Sequence, residues 1–121
     1  MKSDPKECLY CQNNETLHNL MIEIAQLSVS RVFLFKEQTY RGRCLVSYKD
    51  HVNDLNELSD EDRNAFMADV ARVTRAMQKA FQPEKINYGA YSDKLSHLHF
   101  HLAPKYVDGP CLLYTSDAAD E

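Results

Sequence analysis

The sequence predicts an α+β fold: an antiparallel sheet of about five strands with one long helix packed on it. Three observations carry this. Short apolar runs with strand composition recur along the chain, separated by polar or Gly-containing turns. A single stretch, beginning at Ser59, has a strong helical period. A third stretch, "HLHFHLAPK" (97–105), alternates strictly between histidine and an apolar residue, the period of a half-buried strand.

Taken in order, "NLMIEIAQL" (19–27) reads as a strand or a short helix, and Ile22 and Ile24 around Glu23 favour the strand. "SRVFLFKE" (30–37) is a second strand, with Val32, Phe33, Leu34 and Phe35 too apolar for an exposed segment. A turn at Arg41-Gly42 leads into "RCLVSYKD" (43–50), the third strand, followed by the polar connection "HVNDLNEL". Ser59 is placed to cap the helix, and Asp60, Glu61 and Asp62 suit the positive end of its dipole. Phe66, Val70, Val73, Met77 and Phe81 recur at helical spacing and form the expected buried stripe, until Pro83 stops the helix. "KINYGAY" (85–91) and residues 97–106 read as the fourth and fifth strands. In the last, Leu98, Phe100 and Leu102 should face the core. His97, His99 and His101 then line the opposite face at intervals of about 6–7 Å.

The 121 residues suit one domain, expected over 1–110, with ordinary contents of 44% hydrophobic and 26% charged residues. The net charge of −4 argues against a protein that coats nucleic acid or an anionic membrane, although Lys85, Lys94 and Lys105 flank the histidine strand. "MKSDPKE" lacks the apolar core of a signal peptide and no run approaches membrane-spanning length, so a cytoplasmic protein is expected. Four cysteines without an export signal do not suggest a disulfide framework. "CLYC" (Cys8 and Cys11) is a zinc half-site or a redox pair. Residues 111–121, "CLLYTSDAADE", have neither useful periodicity nor a turn that would finish the sheet. They look like translated sequencing adapter, and no function is expected of them.

H-x-H-x-H, then Leu102 and Ala103, Pro104 and the basic Lys105, closely resembles the signature of the histidine triad family of nucleotide hydrolases and transferases. The order C-x-x-C, strands, Gly42 entering a strand, His51 after it, a long helix and the triad extends the resemblance over roughly residues 8 to 108. The chemistry suits the residues. Nucleotidyl transfer needs a nucleophile that is neutral near pH 7 and forms a bond labile enough to hydrolyse, and imidazole meets both demands. The resemblance assigns the nucleophile to His99 and phosphate contacts to His101. It implies one structural zinc held by Cys8, Cys11, His51 and His97, making an N-terminal knuckle. Two thiolates and two imidazoles form a closed tetrahedral set that activates no water.

Some positions depart from the family pattern. Many members carry a histidine where this chain has Arg43, which reads either as a phosphate clamp or as a solvated strand charge. The loop "YSDKLS" is shorter than the Gly-rich phosphate loop of several branches, and Asp93 and Ser96 are its nearest substrate-contacting candidates. Glu37 is the positional choice for binding ribose. The resemblance further implies a homodimer with sheets joined edge to edge. Two rival readings stand beside a nucleotide hydrolase acting on phosphoramidate or phosphoanhydride bonds. One is a zinc-stabilised nucleotide-binding or interaction protein that has lost turnover; the other is a hydrolase using all three triad histidines as metal ligands.

Overall fold

The computed structural model describes residues 5–91 and 97–108. Two short helices, α1 (Leu9–Gln12) and α2 (Glu15–Leu20), precede strands β1 (Met21–Gln26), β2 (Ser30–Phe35) and β3 (Cys44–Tyr48). A long helix α3 (Asp60–Phe81) then leads to β4 (Lys85–Gly89) and β5 (His99–Lys105). The five strands form one sheet in the order β1-β2-β3-β5-β4, each neighbouring pair antiparallel. The triad strand β5 is therefore interior, hydrogen-bonded on both sides.

Helix α3 forms where its caps dictate. Ser59 accepts from the Asp62 amide, three carboxylates occupy the first turn, and Gln82 takes the left-handed conformation (φ 52°) that ends the helix before Pro83. Its buried stripe of Phe66, Val70, Val73 and Met77 packs on Val32, Cys44, Val46, Tyr48, Leu98 and Leu102. Phe66 meets Tyr48 and Phe100 edge-on, with ring centroids 5.6 and 5.8 Å away. Phe81, expected in this stripe, is instead exposed in the last turn. Its ring lies over Gly42, where an added Cβ would come within 2.8 Å of it, and Gly42 has a φ of +85° besides.

A polar anchor in the same helix escaped the apolar pattern. Asp69 is fully buried and accepts from Ser28 Oγ (2.9 Å), the Val29 amide (2.9 Å) and Ser30 Oγ (2.7 Å), joining α3 to the β1–β2 turn. A buried carboxylate is tolerable only with such partners.

The N-terminal segment covers part of the other face of the sheet. Cys8, Tyr10, Leu17, Met21, Phe33 and Leu45 make a second, smaller apolar cluster. The stretch expected as a strand from residue 19 is helical up to Leu20, because Asn14 caps α2 by accepting from the Thr16 amide and β1 begins only at Met21. The fifth strand likewise begins at His99 rather than His97. Leu98 already bonds Tyr48 and Val52 through its backbone, but its neighbour His97 is drawn into a side-chain cluster. Lys105, expected among flanking basic residues, is buried with its Nζ 4.3 Å from the centre of the Tyr40 ring.

Candidate functional site

Register places the reactive face. Ser47 pairs with His99 and Leu45 with His101, so both imidazoles share the face of β3 that carries Leu45 and Ser47. On the opposite face Leu98 and Leu102 are core residues and Phe100 packs against them, as the alternation predicts. His97 and His99 are nonetheless buried, because the N-terminal segment lies over them.

The three imidazoles are held differently. The Nδ1–H of His99 donates to the His97 carbonyl at 2.6 Å, which leaves the Nε2 lone pair as the available nitrogen. In His97 the roles reverse: Nε2–H donates to the Tyr48 carbonyl at 2.7 Å, and Nδ1 faces the thiols of Cys8 (3.2 Å) and Cys11 (3.5 Å). His101 stacks on Phe35 (centroids 5.6 Å apart, planes 16° from parallel) and lies 5.1 Å from His99. Its Nδ1 is buried without a hydrogen-bond partner among the described residues. Burial lowers the pKa of all three; for His101, burial followed by the charges of His99 and Arg43 brings it down to about 4. Neutral imidazole is thus the favoured form along the strand at neutral pH.

Cys8, Cys11, His51 and His97 come together from three places in the chain: α1, the segment after β3 and the entry to β5. One ligand atom from each lies within 4.8 Å of every other, and Cys11 Sγ is 3.3 Å from His51 Nδ1. Tetrahedral zinc with bonds of ~2.3 Å to sulfur and ~2.0–2.1 Å to nitrogen separates its ligands by ~3.5 Å, so the set fits such an ion. The Tyr48 carbonyl supplies the outer contact that fixes the tautomer of a ligating His97. Partial burial and the adjoining Cys8 push the Cys11 thiol up to about 12, against the opposing charge of Arg31. Two thiols this close ionise together only against a cation. Among the described residues no second such group occurs, and the three triad histidines do not form one.

Arg43 places its guanidinium 4.5 Å over Phe35, the ring that also stacks on His101. Glu37 is exposed beyond the end of β2, where it accepts from the Thr39 amide (2.9 Å) and hydroxyl. These bonds, with Arg43 adding to them, lower its pKa. Asp93 and Ser96 lie outside the described residues.

Two residues at the site were not singled out in the sequence. Tyr10, between the two cysteines, packs its ring 5.4 Å from His97 and 5.5 Å from His99. Arg31 pairs with Glu23 through Nε (3.0 Å) and Nη2 (3.1 Å), and its Nη1 donates to the Tyr10 carbonyl at 2.9 Å. No local signal marks Arg31, whose partners Glu23 and Tyr10 lie 8 and 21 positions away.

Residues 14–108 match the HIT domain family. The chain is 32% identical over 89 residues to the adenosine 5'-monophosphoramidase of Schizosaccharomyces pombe and 28% identical over 82 residues to protein hit of Bacillus subtilis. These alignments cover 69% and 64% of this chain, and it spans only 64% and 57% of those curated relatives. In fold it is similar to a histidine triad protein of Bradyrhizobium japonicum (TM-score 0.76, 20% identity, 84% of this chain and 76% of that one). It is also similar to a HIT family member of Bacillus subtilis (TM-score 0.70, 21% identity, 93% and 85%). With the family match spanning most of the sequence and His99 and His101 on an interior strand of the expected sheet, the chain belongs to the HIT domain family.

Proposed function

We propose that this chain is a nucleotide hydrolase or nucleotidyl transferase acting on phosphoramidate or phosphoanhydride bonds through a covalent intermediate on His99. The observation that carries it is the hydrogen bond from His99 Nδ1–H to the His97 carbonyl, which holds the ring with Nε2 unprotonated. In the first step the Nε2 lone pair attacks the α-phosphorus, and the bond to the departing amine or phosphate breaks as that group takes up a proton from solvent. Positive charge developing on the imidazole is stabilised by the same carbonyl. In the second step water attacks the phosphorus, the P–N bond breaks, its electron pair returns to Nε2, and the water's proton leaves with solvent. His101, neutral near pH 7 and 5.1 Å from His99, donates to a phosphoryl oxygen as charge builds there.

Arg43 is the phosphate clamp in this reading, supported by its place beside Phe35 and His101. Glu37 binds a ribose hydroxyl, and Asp93 and Ser96 belong to the substrate loop. The ion at Cys8, Cys11, His51 and His97 is zinc, which when bound holds the knuckle on the sheet. The working form is a cytoplasmic homodimer joined through a sheet edge, β1 and β4 being the two edges. No helix among the described residues is long and apolar enough to cross a membrane. The test is a screen of nucleotidyl phosphoramidates and dinucleoside polyphosphates against the purified protein and His99→Asn. Turnover of one class by the parent, lost in His99→Asn while a nucleoside monophosphate still binds, supports the reading. Turnover retained by His99→Asn refutes it.

A further inference from the structure

The knuckle and the reactive histidine share one side chain. Tyr10 is 2% exposed, and its ring packs at once against His97, on the metal-ligand side, and His99, on the catalytic side. It is also tilted against Phe33 at 5.9 Å, so the ring is fixed from the sheet as well. Its short helix is held at both ends and at Tyr10 itself. Cys8 caps α1 and Cys11 lies within it, Cys8 Sγ accepts from the Cys11 amide at 3.4 Å, and the Tyr10 carbonyl accepts from Arg31. The helix that carries it has only four residues, too short to persist without such anchors.

We propose that Tyr10 is a positioning residue through which metal occupancy of the knuckle governs the setting of His99. With the cysteines ligated, the aromatic ring closes one side of the His99 imidazole and keeps it against the His97 carbonyl. With the cysteines released, α1 keeps its packing on Phe33 and the Arg31 contacts to Tyr10 and Asn13 but loses its hold on His51 and His97, and the ring shifts away from His99. His99 then gains water and rotational freedom while the α3 side of the sheet is untouched. The chain thereby senses zinc, or any reagent that removes zinc from its two thiols, at the nucleophile itself. The proposal rests on His99 as the nucleophile, but the linkage is read without turnover.

The test is the rate at which diethyl pyrocarbonate modifies His99, mapped by mass spectrometry of the full chain. It is measured on zinc-loaded parent, chelator-treated parent, and zinc-loaded Tyr10→Phe, Tyr10→Ala and Tyr10→Leu, with zinc content and far-ultraviolet circular dichroism recorded for each. Slow modification in the zinc-loaded parent and Tyr10→Phe is expected. Modification several-fold faster is expected after chelation with the helical signal of α3 retained, and in whichever truncated variant still holds zinc. Equal protection of His99 before and after zinc removal would overturn the linkage, as would parent-like protection in the zinc-loaded truncated variants. Loss of the whole helical signal on chelation would overturn it too, because the coupling would then be global unfolding. None of these results depends on catalysis, so failure of the nucleophile assignment appears separately, as turnover by His99→Asn.

Discussion

The two faces of β5 are buried by different means. Leu98, Phe100 and Leu102 lie under α3, where four large apolar side chains of one helix meet six residues of the sheet. His97, His99 and His101 lie on the face partly covered by the N-terminal segment, with a smaller apolar cluster, an arginine clamp and a four-residue ligand set. The first face is held by apolar area spread over many contacts, so no single external condition removes it. The second is held by a few directional contacts among imidazoles, thiols and an arginine, in a set positioned to hold a metal ion. The apolar core and the triad histidines are thus divided between opposite sides of β5 and the two residues that lead into it.

Substitutions on each face should separate these modes. The largest effect is expected from Phe66→Ala, which empties a fully buried site contacted by Tyr48 and Phe100. It should destabilise the fold by about 3–5 kcal/mol, with the same loss in zinc and in chelator. A loss confined to one condition would mean that the faces are not independent. Zinc saturation should raise the parent's stability by about 4 kcal/mol at a thousandfold excess over the dissociation constant. Cys8→Ser should abolish most of that gain, as thermal unfolding with and without chelator would show.

A third expectation concerns acid. The folded-state pKa of His101 is depressed to about 4, below an unfolded value near 6.5. The native state therefore binds fewer protons, and stability falls as pH drops through 6.5 until it levels near 4. The full shift corresponds to at most ~3 kcal/mol, reduced by solvent screening of this partly exposed ring. His101→Phe should flatten the melting-temperature slope over that window relative to the parent, both saturated with zinc. An unchanged slope would mean that His101 is not held neutral. Deleting residues 111–121, which we propose to be foreign to the domain, should leave melting temperature and turnover within error.

Legibility in the sequence followed the same division. The α3 face was readable because apolar periodicity reports burial directly, and the strands and the helix cap stand near their expected places. Phe81 fails the pattern because it sits in the last turn of α3, over Gly42 and partly open to solvent, which helical periodicity does not report. On the other face, the four positions read as metal ligands came from a resemblance, and the distances place them where they could hold an ion. Tyr10, Arg31 and Asp69 stayed hidden because their partners lie far along the chain, as with Asp69 and Ser30, 39 positions apart. No local pattern records a long-range polar contact. The helix α2 was missed for a local reason: Asn14 and Glu15 are a cap and a first-turn acid, outweighed by the alternation that follows.

The most direct measurement is to quench the parent protein during turnover of a nucleotidyl phosphoramidate and map the adduct by mass spectrometry. A mass increase equal to one nucleotidyl group is expected on His99, absent from His99→Asn, and lost on standing as water cleaves the P–N bond. An adduct on any other residue, or turnover that proceeds in His99→Asn, would contradict the assignment of the triad's central histidine as the nucleophile.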